Sequence, residues 1–528
     1  MKLIFSSSLT KIFSEEDCYP IDKGQCLTNE SFAFQVYVQA EEGVCAPVSV
    51  EADVPVNVYE VKKMKGDYYG FYGERTPDDY DCRVEDNEYP ELLKKTDQLC
   101  LEAGESATLF IEIPAEKKAA GVHKITVKIG AEEKTLPLTV LPVELEETNL
   151  IITHWFHMDG IADYYHVKPF SEAFYARFEQ FLKAYLKMGN TVVFVPLFTP
   201  PLDTHVGCER TTAQLIGVEK NGEEYTFDFS EMERYVKLCL SCGAKYFEFS
   251  HLFTQWGGEF CPKIIVKENG VKRNLFGWNV SSEAPCYQAF LKQFFKGLLL
   301  EMDKLGIKDK SFLHLTDEPG EPHIERYERL SKFVKENCPN IPVMDALSHY
   351  DFAANGSVDM PVVAMNSKDL EKFNDREHML YYCQSVDEEY LSNRYFHMPL
   401  QRTAILGYQL YQTQVKGFLH WGYNFYNAAV SKRKINPYEV TTADAGLPAG
   451  DCFVVYPGDE EVEYSIRYFA LLKGFEEERL METLEKKIGK KKALKMLENE
   501  GVSGVHKYPR SVSWHETFRQ KIYAELVK

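Results

Sequence analysis

The stretch SFLHLTDEPG, residues 311–320, joins an apolar strand pattern to two acids and then to a helix pattern. Residues 311–316 predict a short buried strand, and residues 322–337 predict an amphipathic helix. A strand that leads directly into a helix is typical of folds built on a parallel sheet. The acids Asp317 and Glu318 therefore fall at the carboxyl end of a strand, where such folds carry their functional side chains.

The same alternation continues on both sides of this segment. Eight apolar runs predict strands: Ile151–Met158, Thr191–Phe198, Lys245–Phe253, Ser311–Thr316, Pro342–His349, Pro361–Asn366, His378–Gln384 and Gly417–Tyr426. Eight strands with interleaved helices over about 275 residues predict a (β/α)8, TIM-like barrel. The connection 350–360 is too short for a full helix, so we expect a distortion there. A doubly wound open sheet is the alternative, but the chain has no glycine-rich phosphate loop.

Two further regions flank the predicted barrel. Residues 1–148 carry short alternating segments separated by turn residues, and one of these segments, 48–61, is predicted to be a single strand. Many short strands without helices predict an N-terminal β-sandwich domain. Residues 149–450 form the predicted catalytic barrel domain. Residues 451–528 contain one strand pattern followed by helical patterns, and we expect this C-terminal helical appendix to pack on the barrel.

Charge and composition exclude several classes of partner. The chain has 528 residues and a net charge of −20, which argues against nucleic acid and anionic membranes. No apolar run is long enough to span a bilayer, and the N-terminus lacks a signal-peptide pattern. The 13 cysteines are scattered without a metal-ligand rhythm. We therefore expect a cytoplasmic protein with reduced thiols, and the sequence leaves its oligomeric state open.

The acids at 317 and 318 are the strongest catalytic candidates. Two carboxyls half-buried at a strand end are unfavourable unless they serve a purpose. Pro319 is expected to hold Glu318 in an extended conformation. Paired glycosidase carboxylates stand about 5–9.5 Å apart on different strands, an arrangement that adjacent residues suit poorly. Adjacent acids suit substrate assistance instead: the sugar's 2-acetamido group attacks, Glu318 acts as acid and base, and Asp317 orients the acetamido group.

Other predicted strand ends supply residues for a sugar pocket. The candidates are Trp155, His157, His251, Gln255, Trp256, Asn366, Tyr382, Gln384, Trp421, Tyr423 and Asn424. Aromatic faces and uncharged hydrogen-bonding groups suit sugar rings and hydroxyls. We expect no metal site, because no histidine and carboxylate cluster emerges from the pattern, and no other cofactor.

Several motifs together resemble glycoside hydrolase family 123. They are TDEP at 316–319, GFLHWGYN at 417–424, GDCFVVYPG at 450–458, SIR at 465–467, GFEE at 474–477, YPELL at 89–93 and the strand pattern of 107–129. The resemblance implies an exo-acting β-N-acetylgalactosaminidase that works by substrate-assisted retention without a metal. It implies the acid/base role for Glu318 and the acetamido-orienting role for Asp317. The substrate would be a glycan with terminal N-acetylgalactosamine or N-acetylglucosamine.

Two alternatives stay open at this point. A glycosidase on a sugar without an acetamido group would need a second carboxylate, for which Glu248, Asp345 and Asp351 are candidates. A catalytically silent glycan-binding protein on the same scaffold is the other alternative, against which the intact acid pair argues.

Overall fold

In the computed structural model, residues 1–66, 78–82, 86–382 and 390–528 are described. The N-terminal part is built from two sheets. Their strands within this part are Lys2–Ser7, Gly24–Leu27, Phe32–Gln39, Val44–Glu51, Asn57–Lys65, Glu88–Lys95, Gln98–Leu101, Ser106–Ile113, Gly121–Ile129 and Glu132–Leu141. Apolar side chains from both sheets, such as Phe34 and Val127, share one fully buried core, as in a β-sandwich.

One predicted strand in this part is wrong in extent. The pattern 48–61 was expected to be continuous, but the chain forms two strands, Val44–Glu51 and Asn57–Lys65, in different sheets. Pro55 lies in the break. Proline has no backbone N–H to donate to a sheet ladder, so it suits the crossover between the two sheets.

The central part contains eight short parallel strands arranged in chain order. These ring strands, called first to eighth below, are Ile151–His154, Val192–Val195, Tyr246–Phe249, Ser311–Leu313, Met344–Leu347, Met360–Ala364, Met379–Tyr381 and Gly417–His420. Strands two to four form one ladder, and strands five to eight continue into strand one. This order fits a TIM-like domain and differs from a doubly wound sheet, whose strand order reverses.

The two ladders are joined at two weaker places. Between the first and second strands, the Thr191 backbone N–H donates to the Ile152 carbonyl at 2.9 Å. Between the fourth and fifth strands, a parallel bridge pairs Leu313 with Val343. The domain is therefore TIM-like with interrupted pairing.

Helices cover the outside of the ring. Their bounds in this part are Met158–Tyr164, Glu172–Lys187, Ser230–Cys242, Pro285–Leu305, Ile324–Asn337, Asp351–Ala354, Leu400–Ala404 and Leu406–Thr413. The one-turn helix Asp351–Ala354 occupies the short fifth-to-sixth connection, where the sequence predicts a distortion. The sixth connection carries only the 3-10 helix Leu370–Asp375.

A four-stranded sheet inserted between ring elements was not expected. Its strands are Gly217–Asn221, Glu224–Asp228, Ile264–Glu268 and Val271–Phe276. Each hairpin turns at an Asn-Gly pair, 221–222 and 269–270, in which Gly222 and Gly270 have positive φ. Asn-Gly is the strongest local hairpin signal, so the sequence did contain the information.

The C-terminal part contacts both other parts. The strands Val455–Tyr456 and Glu463–Ser465 extend the seven-stranded N-terminal sheet through pairing with Glu88–Lys95. Helix Ile466–Ile488 packs on Leu400–Ala404 and Leu406–Thr413, and the helices Lys490–Asn499 and Val512–Leu526 follow. The C-terminal appendix thus contacts both the N-terminal sheet and the TIM-like domain. The domain boundaries at 148 and 450 stay predictions.

Among the cysteines that the structure describes, one pair departs from the expected free thiols. Cys45 and Cys100 lie opposite each other on antiparallel strands and form a disulfide. Among the described residues, Cys239 and Cys242 are free. Within the same residues, no helix has the length and hydropathy that a bilayer crossing requires.

A buried ion pair ties the N-terminal sheet to the C-terminal helix. Arg467 and Glu91 are both fully buried, and two guanidinium nitrogens donate to the carboxylate at 2.9 and 2.6 Å. The same guanidinium donates to the carbonyls of Arg394, Gly450 and Phe453 at 2.8–3.0 Å. A bidentate pair with further hydrogen bonds satisfies buried charge well.

Loss of one partner should destabilise the fold strongly. We expect Arg467→Gln to lower the free energy of unfolding by about 3–5 kcal/mol, because Glu91 would stay buried without its counter-charge. Arg433→Gln is the matched control, since the Arg433–Asp444 pair is exposed and solvent screens such pairs, so its loss should change stability far less. Thermal and urea unfolding measure both variants; equal effects would contradict the role assigned to the buried pair.

Candidate active site

The fourth ring strand places the acid pair at the carboxyl end of the ring. Its last residues are held by backbone donors: the N–H of Leu315 donates to Asp345 Oδ1 at 3.0 Å. The N–H of Glu318 donates to the Ala346 carbonyl at 3.1 Å. Asp317 and Glu318 are both partly buried. The fifth strand thus fixes where the acids stand.

The conformation expected for Glu318 is wrong. It was predicted to be extended because Pro319 follows, but its φ is 44°, in the left-handed region. A non-glycine residue in this region is strained, and such strain persists only where surrounding contacts impose it. The resulting bend allows both neighbouring side chains to line one cavity.

A histidine between two carboxylates lies beneath the acids. His314 is fully buried, with Nε2 at 2.9 Å from Glu248 and Nδ1 at 3.3 Å from Asp345. These two hydrogen-bonded carboxylates overcome the effect of burial and raise the pKa of His314 to about 9. Asp345 also accepts the Tyr327 hydroxyl, and Glu248 accepts the Thr153 hydroxyl. An imidazolium with both nitrogens donating therefore sits in the ring interior at neutral pH.

The acid pair holds protons more tightly than ordinary carboxyls. Burial, and then the neighbouring charges of Glu318 and Asp345, raise the pKa of Asp317 well above its usual value. Burial also raises the pKa of Glu318, opposed by hydrogen bonds from Tyr381 and Trp256 that favour its anion. The Tyr381 hydroxyl donates to Glu318 Oε1 at 2.9 Å. Two adjacent carboxyls that resist double ionisation suit general acid–base work.

Both acids open into a cavity of about 330 Å³. Its lining residues are Trp155, Leu202, Asp203, Gln255, Trp256, Asp317, Glu318, Trp421, Ala429, Val430, Gly446 and Leu447. Six of the residues predicted from the sequence are among them. The lining thus includes three tryptophans and three acids, a set of side chains that suits a sugar ring.

Two predicted pocket residues lie behind this cavity. His157 Nε2 donates to the Trp421 carbonyl at 2.8 Å, and Nδ1 accepts from Arg210 at 3.0 Å. Burial and the Arg210 charge lower the pKa of His157 to about 3, so its ring is neutral. Asn424 exchanges two hydrogen bonds with the His157 backbone. His157 thus contacts Trp421 directly, Asn424 holds the His157 backbone, and neither residue lines the cavity.

The other predicted residues also lie outside the cavity lining. His251 is buried, stacked on His314 with 4.5 Å between ring centres. Tyr423 donates its hydroxyl to the Phe181 carbonyl on an outer helix, at 3.0 Å. Tyr382 is buried against Phe418. Partly buried Asn366 follows the sixth strand, and Gln384 falls outside the described residues.

Two further acids near the cavity were missed. Asp203 lines it, and burial raises its pKa to about 6. Asp451 accepts the Trp421 indole N–H at 3.3 Å, and burial raises its pKa to about 7. Both lie in loops without a regular pattern. The only available signal for Asp451 was its place in the GDCFVVYPG motif.

The argument that no histidine–carboxylate cluster forms is wrong. His251, His314 and Asp345 bring potential ligand atoms within 4.8 Å of one another. His314, however, already uses both nitrogens on carboxylates, and a metal ligand must be an unprotonated nitrogen. The chemistry of this donor set therefore favours a buried imidazolium over a metal centre.

A TIM-like ring with partly buried acids, raised pKa values and a tryptophan-lined cavity defines a glycosidase. Comparison with known proteins agrees, since residues 155–484 match the model of the glycoside hydrolase 123 catalytic domain. The chain belongs to glycoside hydrolase family 123. This membership makes it an enzyme and removes the silent binding protein from the alternatives.

One solved structure shares its fold over nearly the whole chain. A family 123 glycoside hydrolase from Clostridium perfringens, studied for glycolipid glycan hydrolysis, has a TM-score of 0.74 at 14% identity. The match covers 99% of this chain and 97% of that one. A family 5 mannosidase from Rhizomucor miehei reaches a TM-score of 0.35 at 14% identity, covering 65% of this chain and 94% of its own. No curated protein matches this sequence.

Removal of the Tyr381 hydroxyl should change the pH dependence of activity. That hydroxyl favours the anion of Glu318, so Tyr381→Phe should raise the pKa of Glu318 further. An acid stays protonated below its pKa, so we expect the basic limb of the kcat/KM profile to move to higher pH. Tyr350→Phe, on an exposed hydroxyl bonded to Asp375, is the control. A basic limb that moves to lower pH would contradict this assignment.

Proposed function

We propose that this glycoside hydrolase releases terminal β-linked N-acetylgalactosamine, or N-acetylglucosamine, by substrate-assisted catalysis. The observation that carries the proposal is the adjacency of Asp317 and Glu318 at one strand end, bent into one cavity. Neighbouring residues on one strand suit a substrate that brings its own nucleophile better than a mechanism with two separated carboxylates.

The proton arrangement of the pair supports distinct roles. Burial beside the carboxyls of Glu318 and Asp345 raises the pKa of Asp317 in the free enzyme. When an acetamido N–H donates to Asp317, that hydrogen bond favours the Asp317 anion. Because the two acids do not readily ionise together, the remaining proton then resides on Glu318. Substrate binding thereby prepares Glu318 as the acid.

The reaction then proceeds in two balanced steps. Glu318 gives its proton to the glycosidic oxygen while the acetamido oxygen bonds to the anomeric carbon, and the aglycone leaves as an alcohol. Asp317 stabilises the positive charge of the resulting oxazolinium. Water next attacks the anomeric carbon and gives its proton to Glu318, and the bond to the acetamido oxygen breaks. Two inversions leave the β configuration retained.

Several cavity residues favour a sugar ligand in this proposal. Trp155 and Trp421 offer flat apolar faces, and the cavity volume of about 330 Å³ lies at the small end of ligand pockets. The relative from Clostridium perfringens was studied for glycolipid glycan hydrolysis. We therefore propose glycolipid and related glycans as the substrate class.

The proposal predicts that substitution of either acid lowers the rate of hydrolysis strongly. Glu318→Gln should reduce hydrolysis of a nitrophenyl β-N-acetylgalactosaminide by about 10²–10⁴-fold, the usual contribution of general acid–base catalysis. Asp317→Asn should also lose much activity and should weaken a thiazoline inhibitor, which resembles the oxazoline intermediate. The exposed Asp351→Asn is the control. Wild-type turnover in both site variants would refute the mechanism.

A second candidate is a glycosidase that uses a separate carboxylate. The candidates suggested by sequence are poorly placed: Glu248 and Asp345 are bonded to His314, and Asp351 is exposed on a short helix. Asp203 does line the cavity, and one oxygen accepts the Val430 N–H at 3.0 Å. A covalent sugar adduct on wild-type enzyme, lost in Asp203→Asn, would favour this candidate over substrate assistance.

A further inference from the structure

Trp256 is a large apolar side chain that the site leaves in solvent. Its exposed fraction is 49%, and it is the only aromatic among the large apolar side chains classed as exposed in the described residues. Burial of such a large ring away from water would be strongly favourable. Its φ of 56° adds backbone strain. Neither feature is explained by packing of the fold.

Hydrogen bonds hold the Trp256 turn against the loop of the acid pair. The Trp256 N–H donates to the Asp317 carbonyl at 2.7 Å, and the Thr316 hydroxyl donates to the Thr254 carbonyl at 2.6 Å. Arg326 donates to the Gly257 carbonyl at 3.4 Å. These contacts come from both sides of the acids, so the turn and the acids form one rigid unit.

Gly257 shows that the turn has little freedom. Its φ is 111°, and a Cβ there would lie 2.5 Å from the His323 ring. Any other residue would be strained in conformation and would collide with that ring. The backbone next to Trp256 is therefore held by the surrounding loops.

The direction of the indole follows from its partner. The Trp256 side chain lies beside the Glu318 carboxyl, whose anion it favours and whose pKa it lowers, and both residues line the cavity. The proposed acid must reach the glycosidic oxygen, the atom that joins the terminal sugar to the rest of the substrate. An aromatic face beside the acid and open to solvent is thus placed on the leaving-group side.

We propose that Trp256 is a stacking platform for the sugar ring that carries the terminal hexosamine. This inference rests on the proposed function and narrows its substrate class to glycans in which the released residue is attached to another pyranose. The apolar face of that ring covers the exposed half of the indole. A substrate in which the hexosamine is attached to a small alcohol has no second ring and makes no stacking contact with Trp256.

The test compares two substrates that differ only beyond the scissile bond. They are the disaccharide of β-linked N-acetylgalactosamine on galactose and the methyl β-N-acetylgalactosaminide. Wild-type enzyme should have the higher kcat/KM on the disaccharide. Trp256→Ala should reduce this preference about tenfold or more, because it removes the aromatic face on which the second sugar ring stacks.

Two further variants separate stacking from the hydrogen bond to Glu318. Trp256→Phe keeps an aromatic face but loses the indole N–H, so it should lower kcat/KM on both substrates alike and retain the preference. Leu300→Ala, at a side chain that is 72% exposed on an outer helix, should change neither substrate. Thermal unfolding checks that each variant is folded.

The outcomes are distinguishable from failure of the proposed function. If wild-type enzyme hydrolyses both substrates and Trp256→Ala keeps the disaccharide preference, the platform is refuted and the proposed function stands. If Trp256→Phe loses the preference as fully as Trp256→Ala, the hydrogen bond rather than stacking decides it, and the platform is again refuted. If the folded wild-type enzyme releases hexosamine from neither substrate nor from an aryl glycoside, both proposals fail.

Discussion

The buried imidazolium of His314 is the constraint on which the site depends. It joins carboxylates from the third and fifth ring strands, Glu248 and Asp345, in a region without solvent. Removing His314 would leave two buried carboxylates without a counter-charge, which is strongly unfavourable. Asp345 also receives the backbone N–H groups of Leu315 and Thr316. The charge balance of the ring interior and the position of the acids are therefore set by the same atoms.

The backbone of the cavity wall above this buried cluster is strained. Several non-glycine residues in or beside the wall have φ in the left-handed region, among them Asp203, Trp256, Glu318, Val430 and Ser431. Each costs of order 1–3 kcal/mol, and contacts between the loops offset it. The Ser431 hydroxyl, for example, donates to the Asp203 carbonyl at 2.6 Å. The contacts that impose this strain hold the backbone of the acids and of Trp256 in place before any substrate binds. A site arranged in advance loses less entropy on binding.

The sequence predicts regular elements better than loop conformations, for a physical reason. All eight ring strands were predicted because each is an apolar run of the right length. Two of the helices end at Gly243 and Gly306, which have the positive φ that glycine favours. Glu318 was misjudged because tertiary hydrogen bonds override the local preference before Pro319. Tyr423 was misassigned because the eighth strand ends at His420, after which side-chain direction no longer follows strand alternation. Asp203 belongs to a loop whose course depends on contacts distant in sequence.

The N-terminal sheet takes part in shaping the cavity through one chain of contacts. Glu91 binds Arg467, and Arg467 donates to the Gly450 carbonyl in the loop that precedes Asp451. Asp451 in turn accepts the indole N–H of Trp421 at the cavity wall. Every link before the indole is fully buried or made by backbone, so it cannot be replaced by water. A catalytic unit that ended with the eighth ring strand would lose this wall, which agrees with a family match that continues to residue 484.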